Sequence, residues 1–85
     1  MRVTIIRADG FVSVDGEGYR DLDLSVIPAG VGAVQWYGSG GEVEHVDAKG
    51  LVVANEAITD LGPYEPALAA WQERKAALTA TEAEE

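Results

Sequence analysis

Ala33-Val34-Gln35-Trp36-Tyr37-Gly38-Ser39-Gly40-Gly41-Glu42-Val43-Glu44-His45-Val46 decides the fold. Two runs rich in β-branched and aromatic residues flank a glycine-rich loop, the pattern of a β-hairpin. A symmetric loop from Gly38 to Gly41 sets Tyr37 opposite Glu42 and Trp36 opposite Val43. Strand side chains alternate between faces. Val34, Trp36, Val43 and His45 therefore share one face. Gln35, Tyr37, Glu42 and Glu44 share the other, more solvated one.

Upstream, Val3-Thr4-Ile5-Ile6-Arg7 and Phe11-Val12-Ser13-Val14 flank Asp9-Gly10. An Asp-Gly pair suits both positive-φ positions of a type I′ turn, so a hairpin is expected over residues 2–15. Asp15-Gly16-Glu17-Gly18 breaks the chain again. In Tyr19 to Leu24, Leu22 and Leu24 fall on one side and Asp21 and Asp23 on the other, as in a short half-exposed strand or an extended segment with a polar outside. Pro28 then interrupts the sheet, with room for one helical turn around residues 25–30.

Downstream, Asp47 to Gly50 reads as a turn and Leu51 to Ala54 as a short strand, with Ile58 and Leu61 as buried anchors of the connection that follows. Tyr64, Leu68, Trp71 and Leu78 recur at helical spacing. Six alanines between Ala67 and Ala80 favour the helical state. Pro63 and Pro66 suit a first turn, so the helix is expected to start between them and to end near Ala80. Glu65 sits at the favourable end of the helix dipole for an acid, and Arg74 and Lys75 lie towards the other end.

The fold class that follows is α+β: a small, mostly antiparallel sheet built from hairpins, with one C-terminal amphipathic helix packed on one face. Val3, Ile5, Phe11, Val34, Trp36 and Val43 are the expected sheet contribution to the core, and Leu68, Trp71 and Leu78 that of the helix. Residues 1–80 form a single domain, followed by an acidic, frayed tail over 81–85. One helix covers one side of such a sheet. An uncovered apolar patch or sheet edge would invite a second copy or a partner.

The chain has 85 residues, 6 Lys and Arg, 15 Asp and Glu, and a formal net charge of −9. Nucleic-acid affinity rests on cations that neutralise phosphates, so this balance argues against nucleic-acid and anionic membrane partners. The acidity keeps a small protein soluble, or marks a basic partner. With no cysteine, disulfides, thiolate metal sites and cysteine nucleophiles are excluded, which fits a reducing cytoplasm. Met1 to Ile6 opens without the apolar core of a signal peptide, so none is expected.

Candidate reactive groups lack companions. His45 is the sole histidine; catalysis or zinc binding would require partners in a constellation, so it reads as structural. Asp15, Glu17, Asp21 and Asp23 do not follow a calcium-loop spacing and read as solvated turn carboxylates. Gly38 to Gly41 lacks the Lys-Ser/Thr and the helix of a phosphate loop. No catalytic residue, cofactor or metal ligand is expected. Trp36 and Trp71 belong in the core of so small a domain, with Trp36 meeting Trp71 or Tyr64. Tyr37, Ser39, Glu42 and Glu44 are the candidate partner-binding residues, because Tyr at an exposed tip is a favoured interface anchor.

Met1-x-Val3-Thr4-Ile5-Ile6, Val14-Asp15-Gly16, Leu22-Asp23-Leu24-Ser25, Ile27-Pro28-Ala29, Ala33 to Gly38, Gly41-Glu42-Val43-Glu44 and Tyr64-x-Pro66 with Trp71 together resemble a family of small phage and prophage proteins. Members of that family are encoded near tail and tail-fibre genes. The likeness runs to about Ala80 and carries no catalytic residues. It implies a non-enzymatic tail-associated protein: a minor tail or baseplate component, or a tail-fibre assembly factor. Such a protein would meet tail, baseplate or tail-fibre proteins, in the host cytoplasm during assembly or in the virion tail. The alternative is a small acidic inhibitor that occupies a basic site on a host protein.

Overall fold

The computed structural model describes the backbone of residues 1–83 and the side chains of residues 1–79. Among these residues, β1 (Val3–Ile6), β2 (Phe11–Val14), β3 (Glu17–Tyr19), β4 (Val31–Trp36), β5 (Gly41–Val46) and β6 (Val52–Ile58) form one sheet, and α1 (Glu65–Ala83) follows them. The strand order is β3-β2-β1-β4-β5-β6, with every neighbouring pair antiparallel. Two three-stranded meanders thus meet along β1 and β4, where Val3 faces Trp36 and Ile5 faces Val34. The fold is the expected α+β sheet with a C-terminal helix.

The β4–β5 hairpin forms in a different register from the symmetric one. Trp36 lies opposite Gly41 and Val34 opposite Val43. The loop is therefore Tyr37 to Gly40, tied by the Tyr37 N–H donating to the Gly40 carbonyl at 2.8 Å. Gly41 explains the choice. A Cβ there would collide with the Gln35 carbonyl and the Trp36 Cα, so glycine alone lets the strands close at that point. The slip is two residues, which preserves side-chain parity. Val34, Trp36 and Val43 are accordingly buried together.

The type I′ turn sits at the other Asp-Gly. Asp15 and Gly16 have φ of 50° and 90°, flanked by Val14 opposite Glu17. At the first hairpin, Ile6 opposite Phe11 leaves residues 7–10 as the loop. There Arg7–Asp9 wind into a 3₁₀ turn and only Gly10 is left-handed, its N–H reaching the Arg7 carbonyl at 3.1 Å. Arg7 is drawn into that turn because its Nε donates to the Ile27 carbonyl at 2.8 Å.

Register also corrects the core. Val12 lies opposite Ile5 and is fully buried, whereas Phe11 lies opposite Ile6 on the other face and is half-buried. The Phe11 ring instead covers Gly18 and has the Arg20 guanidinium 5.8 Å above its centroid. Between β3 and β4 the chain turns twice, through Ile27 N–H to Leu24 O and Val31 N–H to Pro28 O. These turns take the place of a helical turn and lay Leu22, Leu24 and Ile27 into the core.

β6 runs through Ile58, well beyond the expected Ala54. Ile58 packs against the core and Leu61 is buried in it, as anchors. A 3₁₀ turn over Gly62–Tyr64 holds Pro63, and Pro66 occupies the first turn of α1. Tyr64, Ala67 and Trp71 are buried, and Leu68 and Ala70 pack against them.

Leu78 is not a core residue; it is 45% exposed. The helix has 19 residues, about 28 Å at 1.5 Å per residue. It already reaches the outermost strand at Lys75, which bonds Glu17 of β3, so its later turns overhang the sheet. The helix continues through Ala83, past the expected end near Ala80. Of the tail expected over 81–85, Glu84 and Glu85 lie outside the described residues.

Candidate functional site

The four candidate contact residues occupy two adjoining surfaces rather than one pocket. Tyr37 and Ser39 stand in the β4–β5 loop, where Tyr37 is 54% exposed. The Arg2 guanidinium lies 5.8 Å from the centroid of the Tyr37 ring, a cation–π contact at the tip. Glu42 and Glu44 point away from the face that carries Val43. Glu42 lies between Gln35 and Ala57, and Glu44 between Ala33 and Asn55. Gln35 accepts the Thr4 hydroxyl at 2.8 Å, so a polar row crosses the sheet from Thr4 to Glu42. A carboxylate row beside an exposed aromatic tip can meet a polar or basic protein surface.

The other singled-out side chains are engaged locally. His45 Nε2 lies 2.9 Å from Glu56 Oε1 on β6, as an exposed cross-strand pair. Asp15 accepts the Arg2 N–H at 2.7 Å, and Asp23 accepts the Ser25 N–H at 3.0 Å. Hydrogen bonds from Ser25 hold the Asp23 carboxyl below the usual carboxylate range. Glu17 accepts the Tyr19 hydroxyl and, at 3.2 Å, the Lys75 ammonium. The Tyr19 bond first, and Lys75 next, lower its pKa. Burial, with the nearby Glu56 charge second, raises that of the Tyr64 phenol. Among the described residues no three His, Asp or Glu side chains come together as a metal-binding group.

Trp36 and Trp71 are both buried, although the ring that stacks near Trp71 is Tyr19, 5.8 Å away, rather than Trp36. Between α1 and the β3–β4 connection runs an open groove of about 480 Å³, bordered by Leu22, Val26, Pro66 and Ala70, with Asp23 and Arg74 at its rim.

The two sheet edges differ sharply, which sequence reasoning did not resolve. β3 is short and lies under α1: Trp71 donates to the Glu17 carbonyl, Arg74 to the Arg20 carbonyl at 3.1 Å, and Lys75 to the Glu17 carboxylate. β6 has seven residues, six of them exposed. With Leu51 before it, it presents Leu51, Val52 and Val53 at 62%, 55% and 63% exposure. The available signal was a run from Leu51 to Ile58 without Lys or Pro, the residues that usually blunt an edge.

No helix among the described residues is long and apolar enough to cross a membrane. No protein-family model, curated protein or solved structure matches the chain.

Proposed function

We propose that this chain is a non-enzymatic phage tail-associated protein, a minor tail or baseplate component or a tail-fibre assembly factor, that works by presenting a folded surface to another protein. The observation that carries the reading is the division of labour between the two faces of the sheet. One face is filled by α1 and the β3–β4 connection. The other carries Glu42 and Glu44 next to the exposed Tyr37 tip. Aromatic anchors beside a polar rim are how protein interfaces are built. The sequence resemblance supplies the tail context, and the net charge of −9 supports a protein rather than a nucleic-acid partner.

Affinity purification of the chain from phage-producing cells tests the reading. Tail, baseplate or tail-fibre proteins are expected in the eluate, and Tyr37→Ala combined with Glu44→Lys is expected to release them while the fold is retained. Presence in finished particles assigns a structural part, and presence only in assembly intermediates assigns an assembly factor. Absence from both overturns the proposal, and salt-sensitive capture of a basic host protein in its place would favour an inhibitor.

A further inference from the structure

We propose that the groove between α1 and the β3–β4 connection is a docking site for a short basic amphipathic helix of a partner protein. Its α1 wall runs from Pro66 to Ala77, about 17 Å at 1.5 Å per residue, or roughly three helical turns. Ala69, Ala70 and Ala77 make up most of that wall. Side chains this small let a second helix axis approach to the close end of the usual range of roughly 8–10 Å. The opposite wall is apolar too. Leu22 is buried there, and Val26 stands beside it 60% exposed. Apolar residues at i, i+3, i+4 and i+7 of a docked helix would follow the groove and cover Val26, as such helices do when they seat in apolar grooves.

Charge selects a basic occupant. The charged residues that border the groove are Asp23, Glu73 and Arg74. Arg74 is committed to its own chain, because its guanidinium donates to the main-chain carbonyls of Arg20 at 3.1 Å and Asp21 at 3.4 Å. The two carboxylates stand on opposite walls, Asp23 on the connection and Glu73 on α1. Asp23 holds its charge, since hydrogen bonds from Ser25 lower its pKa. Lys or Arg on the two flanks of a docked helix would meet one carboxylate on each wall. The net charge of −9 acts in the same sense at longer range: it draws in a cationic segment and repels an acidic one, a second copy of this chain included. A three-turn helix buries less than the roughly 1,600 Å² of a standard stable complex, so the complex is a readily dissociating one. The groove lies on the helix side of the sheet, away from the face of Glu42 and Glu44, and the inference is independent of the tail reading.

Fluorescence anisotropy with three labelled peptides is the test. The first is a leucine–lysine helix with leucine along one face, the second a scrambled peptide of the same composition, and the third the same helix with glutamate for lysine. At about 0.15 M salt, where distant exposed charges are screened, the lysine helix is expected to bind and the other two to bind several-fold more weakly. Ala69→Trp fills the groove from an exposed helix position and is expected to abolish binding. Glu73→Lys is expected to weaken it several-fold. Glu56→Lys, on the far edge strand, changes the net charge equally and is expected to leave binding as it was. Circular dichroism confirms the fold of each variant. A lysine helix that does not bind overturns the proposal. Equal binding of the scrambled or the glutamate peptide, binding that survives Ala69→Trp, or equal weakening by Glu56→Lys and Glu73→Lys would show attraction to the acidic chain as a whole, and overturns it as well.

Discussion

Trp71 of α1 donates its indole N–H to the main-chain carbonyl of Glu17 on β3 at 2.8 Å, across 54 residues of chain. The same helix turn places Lys75 Nζ 5.0 Å from the Trp71 ring centroid and in an ion pair with Glu17. One aromatic side chain therefore fills the core under Tyr19 and also secures the edge strand. Trp71→Phe keeps most of the apolar area and removes the donor, so it is expected to cost about 1 kcal/mol or somewhat more. Trp71→Ala removes both and is expected to cost about 3–5 kcal/mol. Urea denaturation of the two variants separates the hydrogen bond from the packing. A Trp71→Phe variant as stable as the wild type would mean that the indole N–H contributes nothing, and equal losses in the two variants would mean that the ring packing adds nothing beyond it.

Acidification acts on the same clamp. The Glu17 pKa is lowered in the folded protein by the Tyr19 hydroxyl and by Lys75. The unfolded chain therefore binds the proton more tightly than the folded one. The stability that Glu17 contributes is present above its unfolded pKa, in the ordinary carboxylate range, and is lost as the pH falls through the depressed folded value. Asp23 follows the same sign, through its bonds from Ser25. Thermal unfolding across this acid range is expected to show a shallower decline for Glu17→Gln than for the wild type, although the variant starts less stable at neutral pH. An unchanged slope would remove Glu17 from the acid response.

Elements with a local cause were legible in the sequence. Pro63, Pro66 and the alanine-rich run announced α1, and glycine clusters between β-branched runs announced the hairpins. In the β4–β5 hairpin the face assignments survived although the register did not, because the slip is two residues and leaves Val34, Trp36 and Val43 together. Glu42 and Glu44 were placed on the outer face for the same reason. In the first hairpin the core position fell to Val12 instead of Phe11. What stayed hidden depends on distant partners. Asp9-Gly10 and Asp15-Gly16 look equivalent in sequence, but Arg7 is drawn towards Ile27 and only the second pair is left free to form the tight turn. Leu78 continues a helical stripe whose strands have already ended. The bare edge at β6 follows from strand order, which the chain states only once β4 has crossed to the far side of β1.

Ile27 and Leu78 exchange the importance that their sequence context suggests. Ile27 sits in an irregular connection yet is fully buried, whereas Leu78 lies on a helix and is exposed. Ile27→Ala is expected to destabilise by about 2–5 kcal/mol, the range for emptying a packed aliphatic site. Leu78→Ala is expected to stay within about 0.5 kcal/mol of wild type, as surface changes do. Chemical denaturation of the pair checks this directly. A large loss from Leu78→Ala would show that the last helical turns have a packing partner.

Three alanine substitutions separate backbone strain from steric collision. Gly30 does not have a positive φ and has no atom within 4 Å of where a Cβ would stand. Gly30→Ala is accordingly expected to be neutral, or to stabilise by a few tenths of a kcal/mol through the unfolded chain, about the lower end of such effects. Gly16 also has open space but a φ of +90°, so Gly16→Ala carries strain alone, about 1–2 kcal/mol. Gly10 combines a φ of +59° with a Cβ position 2.6 Å from the Leu22 carbonyl. The Leu22 N–H donates to the Gly10 carbonyl at 2.9 Å, so this contact cannot open without breaking the bond that starts the β3–β4 connection. Gly10→Ala is therefore expected to be the most damaging of the three and to loosen Leu22 and Leu24 beneath α1. Hydrogen exchange at the Leu22 amide, faster in Gly10→Ala but unchanged in Gly16→Ala, distinguishes collision from strain. Equal losses in both would mean that the Leu22 carbonyl yields at no cost.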